Sequence, residues 1–279
     1  MVRAIHDAGH EVRALVRNSA RSRELPAQPV EGDMTDPSSL RRAVEGQEVA
    51  VHLVAIRQGP RQQFERIMEQ GTRDLVAAAT DAGVRRLVLM SALGTDESTK
   101  DLVPYYHAKW EMEQIASTSG LEHVIFRPSF VFGRDGGILP TFTRLVRLAP
   151  ATPVIGSGEQ RIQPIWVDDV GAYFAAAVDK PEAANRTFEL GGPDAVSWNE
   201  LWQRLRVAAG IRRRPTVHVP TSLMRMNALV TERLPGNIPL TRDLLTMLEH
   251  GDNVTRNDDA VKTFQIPLVP LDEQLRRAA

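Results

Sequence analysis

The run Val49-Ala50-Val51-His52-Leu53-Val54-Ala55-Ile56 decides the fold. It is too apolar for a strand with one face in water, so it reads as a parallel strand buried on both faces. Arg86 to Met90 repeats the pattern, and Val124 to Arg127 repeats it again before Pro128 ends the strand. Between these runs the period changes. Gln62 to Ala82 carries Phe64, Ile67, Met68, Leu75 and Ala79 at helical spacing with Gly83 as its stop, and Tyr105 to Ser119 is helical with Gly120 behind it. Strand and helix alternating in this way predict an α/β protein with a doubly wound parallel sheet, whose ligands collect at the carboxyl ends of the strands.

Upstream, Asp36-Pro37-Ser38 is a helix start, with Asp36 as cap, Pro37 in the first turn and Gly46 closing the helix. A short strand into Val30 and a turn at Gly32-Asp33 precede it. His10 to Arg17 reads as a strand with Val12, Leu15 and Val16 inward, and Met1 to Ala8 as the end of a helix stopped by Gly9. Downstream of Gly133, loops rich in Pro and Gly interrupt shorter elements. Asp168 to Val178 (helix) and Thr187 to Leu190 (strand) return to the core, and Thr221 to Arg277 is mostly short helices. The expected division is a core over 1–135, with 165–192 returning to it, and a smaller cap formed by 136–164 and 193–279.

Bulk properties exclude several classes. With 34 basic and 35 acidic side chains the net charge is −1, so no global field draws nucleic acid or anionic lipid. The absence of cysteine excludes disulfides, thiolate metal sites and cysteine nucleophiles, and the seven histidines lack ligand spacing, so no metal is expected. The N-terminal residues form no signal-peptide or membrane-spanning segment, and a soluble, cytoplasmic protein is expected.

Chemistry concentrates at Tyr105-Tyr106-His107-Ala108-Lys109. Tyr105 and Lys109 stand one helical turn apart and share a face. A phenol with a pKa of about 10 is a poor acid or base at neutral pH, and a nearby ammonium favours its phenolate. Lys109 is also placed to reach a ribose. Elsewhere the readings are structural. Asp168-Asp169 open a helix, where carboxylates complement the dipole. His107 reads as a surface histidine, with a place facing substrate as the alternative, and the triplet Arg212-Arg213-Arg214 reads as a solvated helix end. Leu223, Met224, Met226, Leu229 and Val230 read as core or cap packing, with a peripheral membrane or protein-complex contact as the alternative.

The order of these features resembles a family. Short-chain dehydrogenases of the extended and atypical kinds show a serine at a strand end (here Ser91), tyrosine and lysine on the next helix, then an Arg-Pro-Ser strand end (here Arg127-Pro128-Ser129, continuing Phe130-Val131-Phe132-Gly133). Further matches are His10 to Arg17, Gly32-Asp33-Met34, Val51 to Ala55, Gln163 to Val170 and Glu189-Leu190-Gly191-Gly192-Pro193, with Pro239 to Asp243 and Asp252-Asn253-Val254 in the tail. The chain is similar over nearly its whole length to the epimerase/dehydratase-like and NmrA-like branch that contains the nucleotide-binding accessory subunit of respiratory complex I.

The resemblance implies a Rossmann-type core with a C-terminal cap and NAD(P)-dependent hydride transfer to or from a small carbonyl or hydroxyl substrate. It implies that Asp33 and Met34 hold the adenine and that Leu53, Val54, Ala55 and Ile56 line the cofactor cleft. Met90, Ser91, Tyr105 and Lys109 also touch the cofactor, and Pro128, Ser129 and Phe130 pack near the nicotinamide. Tyr105, Lys109 and Ser91 are the implied catalytic set. Dehydrogenases using NAD place an acid on the ribose hydroxyl at the end of the second strand, whereas an arginine accommodates a 2′-phosphate. Arg17 stands there, so NADP is the expected cofactor, with NAD as the alternative.

Two departures keep other readings open. The family's first strand and glycine-rich turn, which cradle the pyrophosphate at a helix N-terminus, have no counterpart; Gly156-Ser157-Gly158 lies far downstream and opens no helix. The sequence reads as one whose true start lies upstream of Met1, or as a sheet without its central strand. Ala92 stands where the family often has a hydroxyl facing the substrate carbonyl, which leaves Ser91 either catalytic or structural. The functional readings are therefore an oxidoreductase, a non-catalytic nucleotide-binding structural or sensor subunit, or a protein that binds no nucleotide.

Overall fold

A computed structural model of the chain describes residues 1–211, 214–231 and 241–278, apart from the side chains at 21, 230 and 231. Two units emerge: Met1–Pro128 with Asp168–Leu190 and Asn257–Ile266, and Ser129–Val167 with Gly191–Arg256 and Pro267–Ala279.

In the first unit, β1 (Arg13–Val16) and β2 (Gln28–Glu31) form a parallel pair. β3 (Val49–His52), β4 (Arg86–Met90), β5 (Glu122–Pro128) and β6 (Arg186–Leu190) form a parallel sheet in the order β6-β5-β4-β3. The helices are α1 (Val2–Asp7), α2 (Pro37–Val44), α3 (Arg61–Phe64), α4 (Gly71–Asp81), α5 (Pro104–Ser117) and α6 (Val167–Ala177). Asp36 caps α2 by accepting from the Ser38 N–H, and Gly46 follows with φ of 69°, a conformation that a side chain would strain.

Side-chain alternation along the strands explains why helices cover both faces. Ala50, Leu87, Leu89 and Ile125 point into a core with Leu40, Met68, Leu75, Ala79 and Met112. Val49 and Val51 point the other way, against Ile5, Ala175 and Val178. On that second face the Phe126 ring lies 4.9 Å from Phe174 and 5.6 Å from Phe264 between centroids, so a segment of the tail belongs to this core. β4 is central, and Leu87, Val88 and Leu89 are fully buried. β1 lies in the same layer as β3, because Leu15 joins the first core and Val12 the second. Yet β1 hydrogen-bonds β2 and β3 hydrogen-bonds β4, and among the described residues no strand joins the two sheets.

Two local expectations need correction. The run to Ile56 is a strand only as far as His52; Leu53 and Val54 are each 37% exposed. Ser91 N–H donates to Phe126 O, so the Met90 carbonyl points towards β3, and there it accepts from Lys109 Nζ at 2.6 Å rather than extending the ladder. The long helix over 62–82 is broken by a wide π turn, Glu65–Gln70, between α3 and α4.

Among the described residues the second unit packs Phe132, Val146, Ile162, Trp166, Leu201, Trp202 and Leu275 around three two-stranded ladders. Its helix Thr221–Thr231 corrects another expectation: Leu223, Met226 and Leu229 are 51%, 61% and 42% exposed instead of packed, while the Val230 side chain lies outside the described residues. Arg212, Arg213, Pro239 and Leu240 also lie outside them. Among the described residues no helix is long and apolar enough to cross a membrane.

Candidate functional site

β4 ends at Met90, and a loop carries the chain through Ser91 and Gly94 to the start of α5. Leu93 N–H donates to Pro128 O, which ties this loop to the end of β5. Gly94 has φ of 84°, and a Cβ there would lie 2.8 Å from Tyr106 Oη, so the turn admits no side chain. Pro104 occupies the first turn of α5 and places Tyr105 and Lys109 on the helix face turned to the sheet.

Lys109 Nζ lies 5.9 Å from the Tyr105 ring centroid, so the structure brings the two groups together. Ser91 adjoins the carbonyl that holds Lys109. The residue is 3% exposed and its buried hydroxyl has no hydrogen-bond partner among the described residues, an orphaned donor at the carboxyl end of the sheet. The expected electrostatics of the pair are corrected. Burial, followed by the neighbouring Tyr106, pushes Tyr105 up to about 12, while the Arg57 guanidinium pulls the other way. Burial also pulls Lys109 down to about 8, opposed by Glu113 one turn further along α5. The lysine therefore spends a bond on a backbone carbonyl, and the phenol holds its proton at neutral pH.

Behind Lys109, His52 is buried at the end of β3, and its Nε2 lies 2.9 Å from Thr72 Oγ1. The Thr72 hydroxyl proton goes to Met68 O, so Thr72 accepts and His52 Nε2 carries the proton. Desolvation, followed by the Lys109 charge, drives His52 down to about 3, which keeps the ring neutral. Glu113 in turn accepts from Arg127 Nε at 2.9 Å.

Arg17 is exposed directly after β1, and Asp33 follows β2. Asp33 Oδ1 accepts from the backbone and hydroxyl of Thr35 at 2.9 and 2.8 Å. Those bonds, with Arg17 and Arg66 nearby, hold its carboxyl below the usual range against the effect of burial. Met34 departs from expectation, since its side chain is 6% exposed and belongs to the core. Leu53, Val54 and Ala55 are exposed and Ile56 half-buried, forming an apolar ledge after β3. Pro128 ends β5 in this unit. Ser129 and Phe130 fall in the second unit, where the Ser129 hydroxyl donates to Asn253 Oδ1 at 2.6 Å and Phe130 packs edge-on against Trp198.

Comparison with known proteins matches residues 1–181 to a family described as NAD(P)H-binding. The chain belongs to that family. A mitochondrial NADH dehydrogenase [ubiquinone] 1 alpha subcomplex subunit 9 from Arabidopsis thaliana is 28% identical over 87% of this chain and 62% of its own length. An NAD(P)H azoreductase from Xenophilus azovorans is 28% identical over 83% of the chain and 76% of its own length. The fold matches that of a short-chain dehydrogenase/reductase superfamily protein from Agrobacterium tumefaciens with bound NAD: TM-score 0.72 at 20% identity, over 99% of this chain and 91% of the other. The chain thus spans less than two thirds of the length of the mitochondrial relative.

The NAD(P)H-binding family implies a dinucleotide, and three features of the first unit fit one. The Leu53-Val54 ledge offers apolar surface to a flat ring, the Asp33 carboxylate is an ionised acceptor, and Ser91 has an unspent hydroxyl. Met1 is the N-cap of α1 and makes no side-chain cap hydrogen bond. Among the described residues no cluster of His, Asp and Glu could hold a metal. The sequence reading missed Arg57 beside Tyr105 and Arg66 beside Asp33. Arg57 directly follows the ledge residues, which is the signal that would have found it; Arg66 lies in the π turn, where helical spacing misleads.

Proposed function

We propose that the chain is an NAD(P)-dependent oxidoreductase that reduces a small carbonyl compound, with NADP(H) preferred. A bound nicotinamide supplies the hydride. Ser91 donates its unspent hydrogen bond to the substrate carbonyl oxygen, and Tyr105 delivers the proton to that oxygen as the hydride reaches the carbon. Carbonyl, hydride and proton then balance to an alcohol. Lys109, anchored by one bond to Met90 O, keeps two N–H donors for a ribose hydroxyl and sets a positive charge 5.9 Å from the centroid of the Tyr105 ring, on which negative charge develops as the proton leaves. Asp33 serves the adenosine end, Leu53 to Ile56 flank the rings, and Arg17 faces a 2′-phosphate.

The observation that carries this reading is the constellation of an orphaned Ser91 hydroxyl, a protonated Tyr105 and a carbonyl-anchored Lys109 at one strand end. Tyr105→Phe tests it. Loss of NADPH absorbance with aldehydes, quinones and azo compounds as substrates should slow by about 10²–10⁴-fold, the usual worth of a positioned acid. NADPH affinity should stay within about twofold, since the ring remains. Unchanged turnover in the variant, or no NADPH binding by the parent protein, defeats the proposal. The likeness to a respiratory-complex subunit favours one alternative, a nucleotide-binding subunit without turnover. In that case NADPH binds and Tyr105→Phe alters nothing.

A further inference from the structure

Two residues beyond Tyr105, about 200° round the helix, His107 faces the opposite side of α5. There a cavity of about 150 Å³ lies against Phe64, Val103 and Pro104. Nearly every charge around it is already matched. Arg61 Nε pairs with Glu65 at 3.0 Å, His107 Nδ1 with Asp101 at 3.5 Å, and Lys100 with Glu97 at 4.0 Å while its ammonium also sits 5.7 Å from the Trp110 ring centroid. Glu69 is the exception. It lines the cavity from the π turn, is 9% exposed, and has no hydrogen bond or ion pair among the described residues.

We propose that this cavity binds a primary ammonium or guanidinium group carried on a short apolar chain, with Glu69 as its counter-ion. Burial raises the Glu69 pKa although His107 and Arg73 oppose it, and a cationic N–H group seated on the carboxylate would offset that desolvation. An anion would meet Glu69 unpartnered and the cations already engaged. At about 30 Å³ per water-sized group, the volume admits about five non-hydrogen atoms, the size of butylammonium, whose methylenes would lie on Phe64, Val103 and Pro104. A π turn is where an irregular helix commonly serves a functional site, and here it carries a carboxylate that makes no hydrogen bond or ion pair among the described residues, with His107 and Arg73 acting on it only from a distance.

Isothermal titration of the full chain with n-butylammonium chloride, with n-butanol as the neutral twin, tests the site without reading turnover. Its outcome is thus separate from that of the proposed reduction. Butylammonium should bind with a Kd on the order of 1 mM, the range about five atoms sustain, and Glu69→Gln should weaken it at least about tenfold. Nα-acetyl-lysine amide separates the two sources of such a group: tighter binding than butylammonium assigns the site to a protein side chain, and weaker binding to a free amine. Equal binding of butanol, unchanged affinity in Glu69→Gln, or no saturation by either ammonium overturns the proposal. The comparison with butanol needs no variant, so a failure of Glu69→Gln to fold leaves the test intact.

Discussion

Mild acid should destabilise this protein through a single buried ring. His52 is 2% exposed, donates to Thr72 and lies within the field of Lys109. Its folded pKa is near 3 against 6.5 unfolded. The folded state therefore binds fewer protons between those values, so stability is complete above pH 6.5 and is lost as pH falls towards 3. At about 1.4 kcal/mol per pH unit the loss from this group reaches about 2 kcal/mol at pH 5 and has a ceiling of about 5 kcal/mol, a large share of the usual 5–15 kcal/mol of a domain. His52→Gln keeps a donor at the Nε2 position and cannot titrate. Urea unfolding at about pH 7 and about pH 5 should show the parent protein losing about 2 kcal/mol more than the variant, while carboxylate effects common to both cancel. Equal losses in the two proteins, or a His52 imidazole resonance titrating near its ordinary value, would refute the burial argument.

Lys109 predicts a second window of the same sign at alkaline pH. Its folded pKa near 8 lies below the ordinary 10.5, so stability should rise by up to about 3 kcal/mol as pH climbs between those values, and Lys109→Met should abolish that slope in urea titrations. Arg127→Met leaves Glu113, whose side chain is 4% exposed, without its partner and should cost about 3–5 kcal/mol; adding Glu113→Gln should recover most of it, as read by denaturant midpoints. Arg17→Glu should cut the preference for NADPH over NADH by at least about tenfold in fluorescence titrations, whereas an unchanged ratio removes Arg17 from the cofactor site.

The sheet was legible because burial on both faces leaves a near-continuous apolar run, and no other common arrangement tolerates one. Arg86 to Met90 and the β5 run were readable for that reason, as was α2 from Asp36 and Pro37. The end of β3 was not. Nothing within Val49 to Ile56 tells that Met90 O, on a strand more than thirty residues away, is taken by a lysine. The π turn was equally hidden, because Phe64, Ile67, Met68 and Leu75 satisfy a helical period whether or not a wide turn intervenes. At Tyr105 and Lys109 the spacing gave proximity correctly and the sign of the phenol shift wrongly, since the sign depends on burial, which sequence distance does not report.

That reversed sign bears on the chemistry. Lys109 is held between a neutral His52 and a Glu113 bonded to Arg127, so its one hydrogen bond among the described residues goes to a carbonyl dipole while Glu113 offsets only part of the burial cost. An ammonium so placed is destabilised by about 3 kcal/mol relative to water, and the arrival of negative charge within reach returns part of that amount. Under the proposed reading such charge appears on the Tyr105 oxygen only once its proton has gone to the substrate. A resting phenol near 12 is therefore compatible with catalysis, provided that Lys109 stays without a permanent carboxylate partner. Placing one there, as in His52→Glu, whose side chain lies within the field of Lys109, should raise the lysine pKa while slowing turnover. If activity survived with Lys109 so neutralised, its charge would have no part in the proton transfer.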